Sequence, residues 1–399
     1  MKKNIRVPYA LPVFGEKEVK AVIEVLKTPM IVAGRKASEF ENKISSLFGK
    51  KYGVYVNSGS SANLLALESL NLPKGSEVIT PILTFSTTVA PIVKLGLIPA
   101  FIDVEPSTYL IDVNKVEGII TKKTKALMIP SLFGNIPDLE NLRKIAKKHN
   151  LYLIEDSCDT LGATIKGKST GIYSDISTTS FYATHLITAA GEGGMICFNN
   201  LKHSQKARIL SGWGRYSSLN ETENIDVRLK GRLKNKTYDS KFIFPEIGYN
   251  MRTTDISAAF GLVQLTRLKE FISLRQNNFD ELINFFSKYK NFFVLPKQSK
   301  VVKTAWMSFP LTLTKEAPFK KNDLIRHLEY SNIQTRPIFT GNITLQPGFN
   351  NIKWIRSKAG YKNTNYIMEN GFVIGCHHGL TIKQIDYMKK SFEEFLKKF

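Results

Sequence analysis

Three short segments of the chain carry the residue types that could hold a cofactor and catalyse a reaction. The first is NSGSSANLLAL, Asn57 to Leu67, a Gly/Ser turn that follows the apolar run YGVYV and opens a helix. A helix N-terminus presents free backbone N–H groups and the positive end of the helix dipole, and both suit a phosphate group. The alternative is capping of this helix by Ser60 or Ser61 without any ligand.

The second segment is LYLIEDSCDTLGA, Leu151 to Ala163, in which an apolar strand ends in Glu155, Asp156 and then Asp159. Open sheets bind their ligands at the carboxyl ends of the strands. A carboxylate placed there can pair with a protonated ring nitrogen and hold a heteroaromatic cofactor in its electron-accepting form. Capping of the next turn and metal binding are the alternatives for these acidic residues.

The third segment is TTSFYATHLITAAGEGGMI, Thr178 to Ile196. Together with the two segments before it, it resembles the DegT/DnrJ/EryC1/StrS sugar aminotransferases, which are built on the fold-type I scaffold of pyridoxal phosphate (PLP) enzymes. Members carry Ser-Phe-x-x-x-Lys before a Gly-rich turn, and this lysine binds the cofactor covalently. Here Ser180-Phe181 leads instead to His185, followed by the turn GEGG. The resemblance extends from about Tyr9 to the C-terminus.

His185 changes the chemistry that the resemblance implies. Imidazole cannot form an imine with an aldehyde, so the cofactor must be held non-covalently, which suits pyridoxamine phosphate (PMP). An imidazole can still serve as an acid or base, because its ordinary pKa lies near neutrality. Within the family, this replacement is typical of the 3-dehydratases of nucleotide-linked 4-keto-6-deoxyhexoses, which supply 3,6-dideoxysugars for lipopolysaccharide O-antigens.

Two later segments also resemble this family. The stretch TRPIFTGNITLQPGF, Thr335 to Phe349, is similar to the dehydratase branch. The stretch GCHHGL, Gly375 to Leu380, fits the family as well, although members often carry proline where this chain has Gly375 and His378.

The resemblance implies roles for individual residues. Those expected to bind the cofactor are Gly59, Ser60 and Ser180 at the phosphate, Phe85 stacked on the ring, Asp156 at the ring nitrogen, Asp159 at the ring hydroxyl or in the surrounding hydrogen-bond network, and Asn250 at the phosphate of the neighbouring subunit. Those expected on the substrate side are Arg336, Phe339 and Asn342. Ordinary core packing is the alternative for Phe85, and a turn position is the alternative for Asn250.

The expected partners are a nucleotide-diphosphate sugar, L-glutamate as amino donor, and a second copy of the chain in a homodimer with shared active sites.

One branch of these dehydratases carries an iron–sulfur cluster, which needs about four thiolates. This chain has Cys158, Cys197 and Cys376, far apart in sequence, so we predict neither a cluster nor a metal site, and a reducing, cytoplasmic location. The alternatives are a nucleotide-sugar 4-aminotransferase, an inactive aminotransferase and a non-catalytic protein that binds cofactor or nucleotide-sugar.

The elements that position these segments show a regular alternation. From Tyr52 to about Phe198, six short β-rich runs alternate with predicted helices at Ser61–Leu70, Ser86–Leu95, Val113–Thr121 and Pro137–His149. This pattern predicts an α/β fold with an open, mainly parallel sheet, and the resemblance implies seven strands. We expect a large cofactor domain over 1–250, a connecting helical region over 251–285, and a smaller α+β domain over 286–399. Thr253–Lys290 is expected to form one or two long helices, and Ile382–Phe399 a terminal one.

Charge is the unusual feature of the composition. The 399 residues include 56 Lys and Arg against 34 Asp and Glu, a formal net charge of +22. Such an excess favours a nucleic acid or a smaller polyanion as partner, but the lysines are scattered over polar helix faces, so we predict no nucleic-acid function. The basic residues of the long polar stretch 215–244 that could contact a diphosphate are Arg228, Lys230, Arg232 and Lys234. We find neither a signal peptide nor a membrane span in the sequence.

Overall fold

The computed structural model describes residues 5–220 and 224–399. The α-helices of these residues are α1 Glu16–Leu26, α2 Arg35–Leu47, α3 Gly59–Ser69, α4 Ser86–Lys94, α5 Leu139–Lys148, α6 Leu201–Ser211, α7 Ile225–Arg228, α8 Asp255–Thr266, α9 Leu268–Phe286, α10 Lys321–Tyr330, α11 Lys362–Asn370 and α12 Ile382–Leu396. The strands are β1 Tyr52–Val56, β2 Glu77–Pro81, β3 Ile98–Ile102, β4 Thr124–Pro130, β5 Tyr152–Asp156, β6 Thr164–Ile165, β7 Lys168–Ser169, β8 Ile176–Ser180, β9 Gly194–Phe198, β10 Gly231–Leu233, β11 Lys236–Tyr238, β12 Phe293–Val294, β13 Val302–Lys303, β14 Ser308–Leu313, β15 Thr335–Arg336 and β16 Gly371–Gly375.

A seven-stranded sheet forms the centre of the molecule, in the order β1-β9-β8-β5-β4-β2-β3. β9 runs antiparallel to both β1 and β8, and the remaining neighbours are parallel. Apolar residues cover both faces, with Leu65 of α3 on one side and Leu142 of α5 on the other. Burial on both faces explains why the strands are nearly continuous apolar runs. The predicted α/β class and mainly parallel seven-stranded sheet are confirmed.

Two local predictions differ from the structure. The polar run ISTTS forms β8, an additional central strand, because its buried hydroxyls find partners: Ser177 Oγ donates to Glu155 at 2.5 Å, and Thr179 Oγ1 donates to the Ser157 carbonyl at 3.0 Å. The predicted helix Val113–Thr121 is wrong. It consists of two 3₁₀ turns, Val113–Lys115 and Glu117–Ile119, because β-branched residues and Gly118 lower its helix propensity.

The C-terminal part of the chain builds a second, four-stranded sheet in the order β12-β14-β16-β15. The predicted stretch Thr253–Lys290 is two helices, α8 and α9, which meet at Arg267. The N-terminal segment reaches this part of the molecule, since Val7 forms a parallel bridge with Ile333. The domain boundaries at 250 and 285 stay a prediction.

The basic stretch expected as a long loop contains a short antiparallel hairpin of β10 and β11. Arg228 pairs there with Asp239, while Lys230, Arg232 and Lys234 are exposed. Over residues 5–220 and 224–399, no helix is both long enough and apolar enough to cross a bilayer.

Candidate active site

A cavity of about 490 Å³ lies at the carboxyl ends of β5 and β8. The two strands are parallel neighbours, with Asp156 level with Thr178, so the segments that follow them meet at one sheet edge. Most of the predicted site residues line this cavity: Gly59, Ser60, Phe85, Asp156, Asp159, Ser180, His185 and Phe339. The three sequence segments that could do chemistry are thus brought together around one space.

The N-terminus of α3 forms one wall of the cavity. Ser58 caps this helix, because its Oγ accepts the Ser61 N–H at 3.1 Å. The alternative of capping by Ser60 or Ser61 is therefore wrong, and Ser60 remains exposed to the cavity. Gly59 packs against Ser180 so closely that a Cβ atom on it would lie 2.7 Å from the Ser180 Cβ. Gly194 of the Gly-rich turn packs equally closely, since a Cβ there would lie 2.2 Å from the Ser58 carbonyl oxygen. The helix N–H groups beside the Ser180 hydroxyl form a cradle that fits a phosphate.

Asp156 lines the same cavity, and two side chains fix its carboxylate. Its Oδ2 accepts hydrogen bonds from Asn63 Nδ2 at 2.8 Å and from Thr88 Oγ1 at 2.9 Å. Its Oδ1 accepts only a long bond from the Cys158 N–H at 3.3 Å and retains capacity for a further donor. Because Oδ2 is fully engaged, a cationic N–H in the cavity would bind at Oδ1.

Sequence reasoning missed Asn63 and Thr88. One signal was available, since Asn63 is a polar residue within the otherwise apolar part of α3, and the structure shows it 2% exposed. A buried amide of this kind needs hydrogen-bond partners. The chain also places Tyr9 and Cys158 in the cavity wall without any motif that predicted them.

His185 and Asp159 face each other in the cavity, with Nε2 of the imidazole 3.9 Å from Oδ1 of the carboxyl. Nδ1 of His185 is buried and has no hydrogen-bond partner among the described residues. Burial lowers the pKa of His185 to about 4, and the charge of Arg275 acts in the same direction. The imidazole is therefore neutral near pH 7 and can accept a proton.

Burial has the opposite effect on the pKa of Asp159, which it raises to about 7. The Phe133 N–H, which donates to Asp159 Oδ2 at 3.0 Å, opposes this rise, and the charge of Asp156 adds to it. A carboxyl that titrates near neutrality beside a neutral imidazole can stabilise that imidazole once it has taken up a proton.

Aromatic side chains form the remaining wall. Phe85 is 51% exposed, so it is not the ordinary core residue of the alternative reading, and its ring lies 6.1 Å from that of Phe339. Phe339 stacks on Phe133 at 4.4 Å. An exposed ring face inside a cavity suits stacking on a planar heteroaromatic group.

The structure places three predicted residues outside the cavity lining. Asn250 is exposed at the surface. The Arg336 guanidinium lies 5.6 Å above the ring of Tyr9, which itself lines the cavity. Asn342 is 5% exposed, with its amide nitrogen bonded to Asn365 and its oxygen bonded to Thr344. Their roles stay predictions.

A family model described as the DegT/DnrJ/EryC1/StrS aminotransferase family matches residues 12–393. The chain belongs to this family. The lipopolysaccharide biosynthesis protein RfbH of Salmonella typhimurium is 38% identical over 98% of this chain and 91% of its own length. A relative in Saccharopolyspora spinosa, a dTDP-4-dehydro-2,6-dideoxy-D-glucose 3-dehydratase, is 36% identical over 97% of this chain and 86% of its own length.

Solved structures of the same family show the same fold. The E. coli GDP-4-keto-6-deoxy-D-mannose 3-dehydratase with bound hydrated PLP superposes with a TM-score of 0.88 at 28% identity, covering 97% of this chain and 99% of that one. The predicted family, the similarity to its 3-dehydratases and the PLP-enzyme fold are confirmed, and the predicted cofactor is the one bound in this neighbour. The relatives include 3-dehydratases of nucleotide-linked sugars, and the family description names aminotransferases.

The cavity fits this cofactor by its own chemistry. It offers a helix N-terminus with Ser180 for a phosphate, the open Oδ1 of Asp156 for a ring N–H, and the exposed face of Phe85 for a planar ring. Within the described parts of the chain, no lysine lines it, so the wall supplies no amine for a covalent link.

Proposed function

We propose that this chain is a PLP/PMP-dependent enzyme that removes the C3 hydroxyl of a nucleotide-linked 4-keto-6-deoxyhexose, coupled to L-glutamate, in 3,6-dideoxysugar biosynthesis. The observation that carries the proposal is a neutral imidazole, His185, at the position where the family has its cofactor-binding lysine, in a cavity wall that holds no lysine among the described residues. The 3-dehydratases among the relatives support it.

The cofactor, when bound, supplies an electron sink into which the electrons of an adjacent C–H bond can pass. The chain's own residues would hold it in place. Gly59, Ser60 and Ser180 bind the phosphate, Phe85 covers one ring face, and Asp156 accepts the ring N–H at Oδ1, which keeps the ring protonated. Asn63 and Thr88 prevent the Asp156 carboxylate from turning away.

His185 carries the proton in this proposal. The neutral imidazole would remove a proton from the cofactor carbon that carries the amino group. It would then return this proton to the departing C3 oxygen of the sugar, so that the hydroxyl leaves as water. Asp159, 3.9 Å away, stabilises the imidazolium between these two steps. Glutamate supplies the amino group and the reducing electrons, and 2-oxoglutarate and ammonia are released with the 3-deoxy-4-keto sugar.

We also propose a homodimer in which Asn250 reaches the phosphate bound by the partner. Support comes from apolar side chains that one copy leaves in solvent, including Phe14 at 54% exposed, Met30 at 56% and Ile247 at 94%. A dimer interface would cover such side chains, and contiguous exposed apolar patches are typical of contact surfaces. Asn250 follows Ile247 by three residues and is itself exposed.

Product analysis tests the reaction. The chain is incubated with GDP- and CDP-linked 4-keto-6-deoxyhexoses, with and without glutamate, and the sugar and ammonia are quantified. We expect a sugar without its C3 oxygen, formed only with glutamate. A sugar that keeps the C3 oxygen and gains an amine at C4 would make the chain a 4-aminotransferase, the second candidate, which the description of the family as aminotransferases favours.

A second measurement tests the observation that carries the proposal. Wild-type protein loaded with PLP is treated with borohydride and digested, and we expect no peptide that retains the cofactor. His185→Lys, which restores the residue of the family motif, is the matched positive control and should give such a peptide. Cofactor fixed to another lysine of the wild type would contradict the proposal.

A further inference from the structure

Arg275 of α9 is a buried cation, 1% exposed, that has no carboxylate among its hydrogen-bond partners in the described chain. All five N–H groups of its guanidinium are used. The acceptors are His378 Nδ1 at 3.0 Å from Nε, the carbonyls of Trp306 and Met307 at 3.4 and 3.3 Å from Nη1, and the carbonyls of Thr184 and His185 at 3.4 and 3.1 Å from Nη2.

Two of these bonds hold the backbone that carries His185. Thr184 and His185 lie in a turn between β8 and β9, outside any helix or strand. Nδ1 of the His185 ring has no partner of its own among the described residues, and Nε2 is 3.9 Å from Asp159, which exceeds a hydrogen bond. Within the described part of the chain, no side-chain hydrogen bond holds the ring, which otherwise has the Tyr182 ring at 5.8 Å and the backbone of Ser180 and Cys158 beside it. The position of the ring therefore depends strongly on its own backbone, and the guanidinium anchors that backbone to α9 and to the residues before β14.

His378 binds the Nε end of the Arg275 guanidinium, whereas the carbonyls of Thr184 and His185 bind its Nη2 end. The Arg275 Nε–H donates to Nδ1 of His378, so the imidazole is neutral with its proton on Nε2. Its ring stacks on Phe271 at 4.0 Å between centroids and 19° between planes. Burial lowers the pKa of His378 to about 2, and the charge of Arg275 adds to this, so Nδ1 stays an acceptor at all working pH values. Family members often have proline at the position of His378, and a proline side chain offers no acceptor for this hydrogen bond.

We propose that Arg275 and His378 are a positioning pair for His185, in which the guanidinium fixes the backbone of the catalytic turn and keeps the imidazole neutral, while His378 fixes the guanidinium. The proposal rests on the proposed function only for the role of His185 as base. Arg275 and His378 do not line the cavity and are not catalytic residues themselves.

The electrostatic part of the proposal has a definite sign. The titratable groups that line the cavity together with the imidazole are Asp156, Cys158 and Asp159 at the end of β5 and after it, Tyr182 and Glu192 between β8 and β9, and Tyr9 of the N-terminal segment. Arg275 adds its charge from behind the turn. Burial lowers the pKa of Arg275 to about 10, so it remains a cation. Its charge opposes protonation of the imidazole, whereas Asp159 favours that protonation only where its own carboxyl is ionised. A neutral residue in place of Arg275 should raise the pKa of His185.

The experiment uses the full-length protein with labelled histidine, which carries six imidazoles, and His185→Asn assigns the resonance of His185. Arg275→Gln should raise the pKa of His185 by about one unit and move the acid limb of the rate profile to higher pH by the same amount. Arg275→Lys keeps the charge but loses the fork of donors, so its acid limb should stay in place while kcat falls about tenfold or more and KM changes little.

The variants of His378 separate positioning from simple packing. His378→Phe keeps the stacked ring and removes the acceptor, and we expect kcat to fall about tenfold. His378→Asn places an amide oxygen near the former Nδ1 and should restore kcat to within about threefold of wild type. The matched control is Arg267→Lys, because Arg267 covers the Phe271 ring at 4.5 Å without bonding to the catalytic turn, and its rate profile should not change.

A purely structural pair would give a different result. In that case the variants would lower the melting temperature while the His185 titration stayed at its wild-type value and Phe and Asn at 378 behaved alike, and this would overturn the proposal. If Arg275→Gln does not fold, the comparison of Phe with Asn at 378 decides alone. The titration needs no substrate, so it stands even if product analysis refutes the dehydratase reaction.

Discussion

Replacing Asp156 by Asn gives the sharpest test of how the site would hold a cofactor. The substitution keeps the size of the side chain and removes its charge. Asn63 Nδ2 and Thr88 Oγ1 both donate to Oδ2, so in the variant the amide oxygen must take that position. The amide NH₂ group then turns to the position of Oδ1 and presents a donor to the ring nitrogen, where the wild type presents an acceptor.

The expected size of the effect follows from this reversal. A hydrogen bond to a charged partner contributes about 1.5–3 kcal/mol, and loss of a preorganised electrostatic contact at an active site costs about 2.7–4 kcal/mol. At about 1.4 kcal/mol per tenfold change in rate, Asp156→Asn should lower kcat about 10- to 10³-fold. Because Asn63 and Thr88 keep their acceptor, the melting temperature should change by only a few degrees.

The assay combines single-turnover rates with the absorbance spectrum of the bound cofactor, which reports the protonation of the ring. Thr88→Ser is the matched control, since it retains the hydroxyl donor, and its rate should stay within about threefold of wild type. A rate for Asp156→Asn within tenfold of wild type, with an unchanged spectrum, would refute the assignment of Asp156 to the ring nitrogen.

Three further predictions concern stability, affinity and assembly. Burial raises the pKa of Asp159 from 3.8 to about 7, so its contribution to stability is present below about pH 4 and is lost as the pH rises through 7. Asp159→Asn should therefore melt higher than wild type at pH 8 but not at pH 4, and equal melting temperatures at pH 8 would contradict this. Gly59→Ala should weaken cofactor binding, followed by absorbance titration, about tenfold or more, because its Cβ would contact Ser180 at 2.7 Å. Gly118→Ala, which has open space, is the control, and equal affinities for the two variants would count against the cradle. Mixing inactive His185→Asn with Asn250→Ala should restore about a quarter of wild-type activity through mixed dimers with one intact site; no gain over the separate variants would refute shared sites.

Much of the candidate site was predictable because its residues lie in short contiguous motifs. Gly59 and Ser60 follow β1, Asp156 ends β5, and Ser180 and His185 end and follow β8. Parallel strands direct their carboxyl ends to one edge of a sheet, so motifs at those ends must meet once the alternation of strands and helices is recognised. The replacement of lysine by His185 is likewise visible in the sequence alone.

The sequence did not reveal the residues that hold these motifs in place. Asn63 and Asp156 are 93 positions apart, Thr88 and Asp156 are 68 apart, and Arg275 and His378 are 103 apart, and no local pattern marks any of these pairs. The strand β8 was equally hidden, since its Ser and Thr residues look like a loop until buried partners accept their hydroxyls.

The sequence shows the motifs but not the distant residues that support them, and this difference has a physical origin. Chain direction, strand periodicity and the chemical nature of a side chain are local properties, so the sequence determined the fold class, the edge of the sheet that carries the site, and the loss of the lysine amine. Protonation and orientation depend on burial and on distant partners. Only the tertiary structure could therefore show a neutral His185 beside Asp159, an Asp156 carboxylate locked by two donors, and a buried guanidinium behind the catalytic turn.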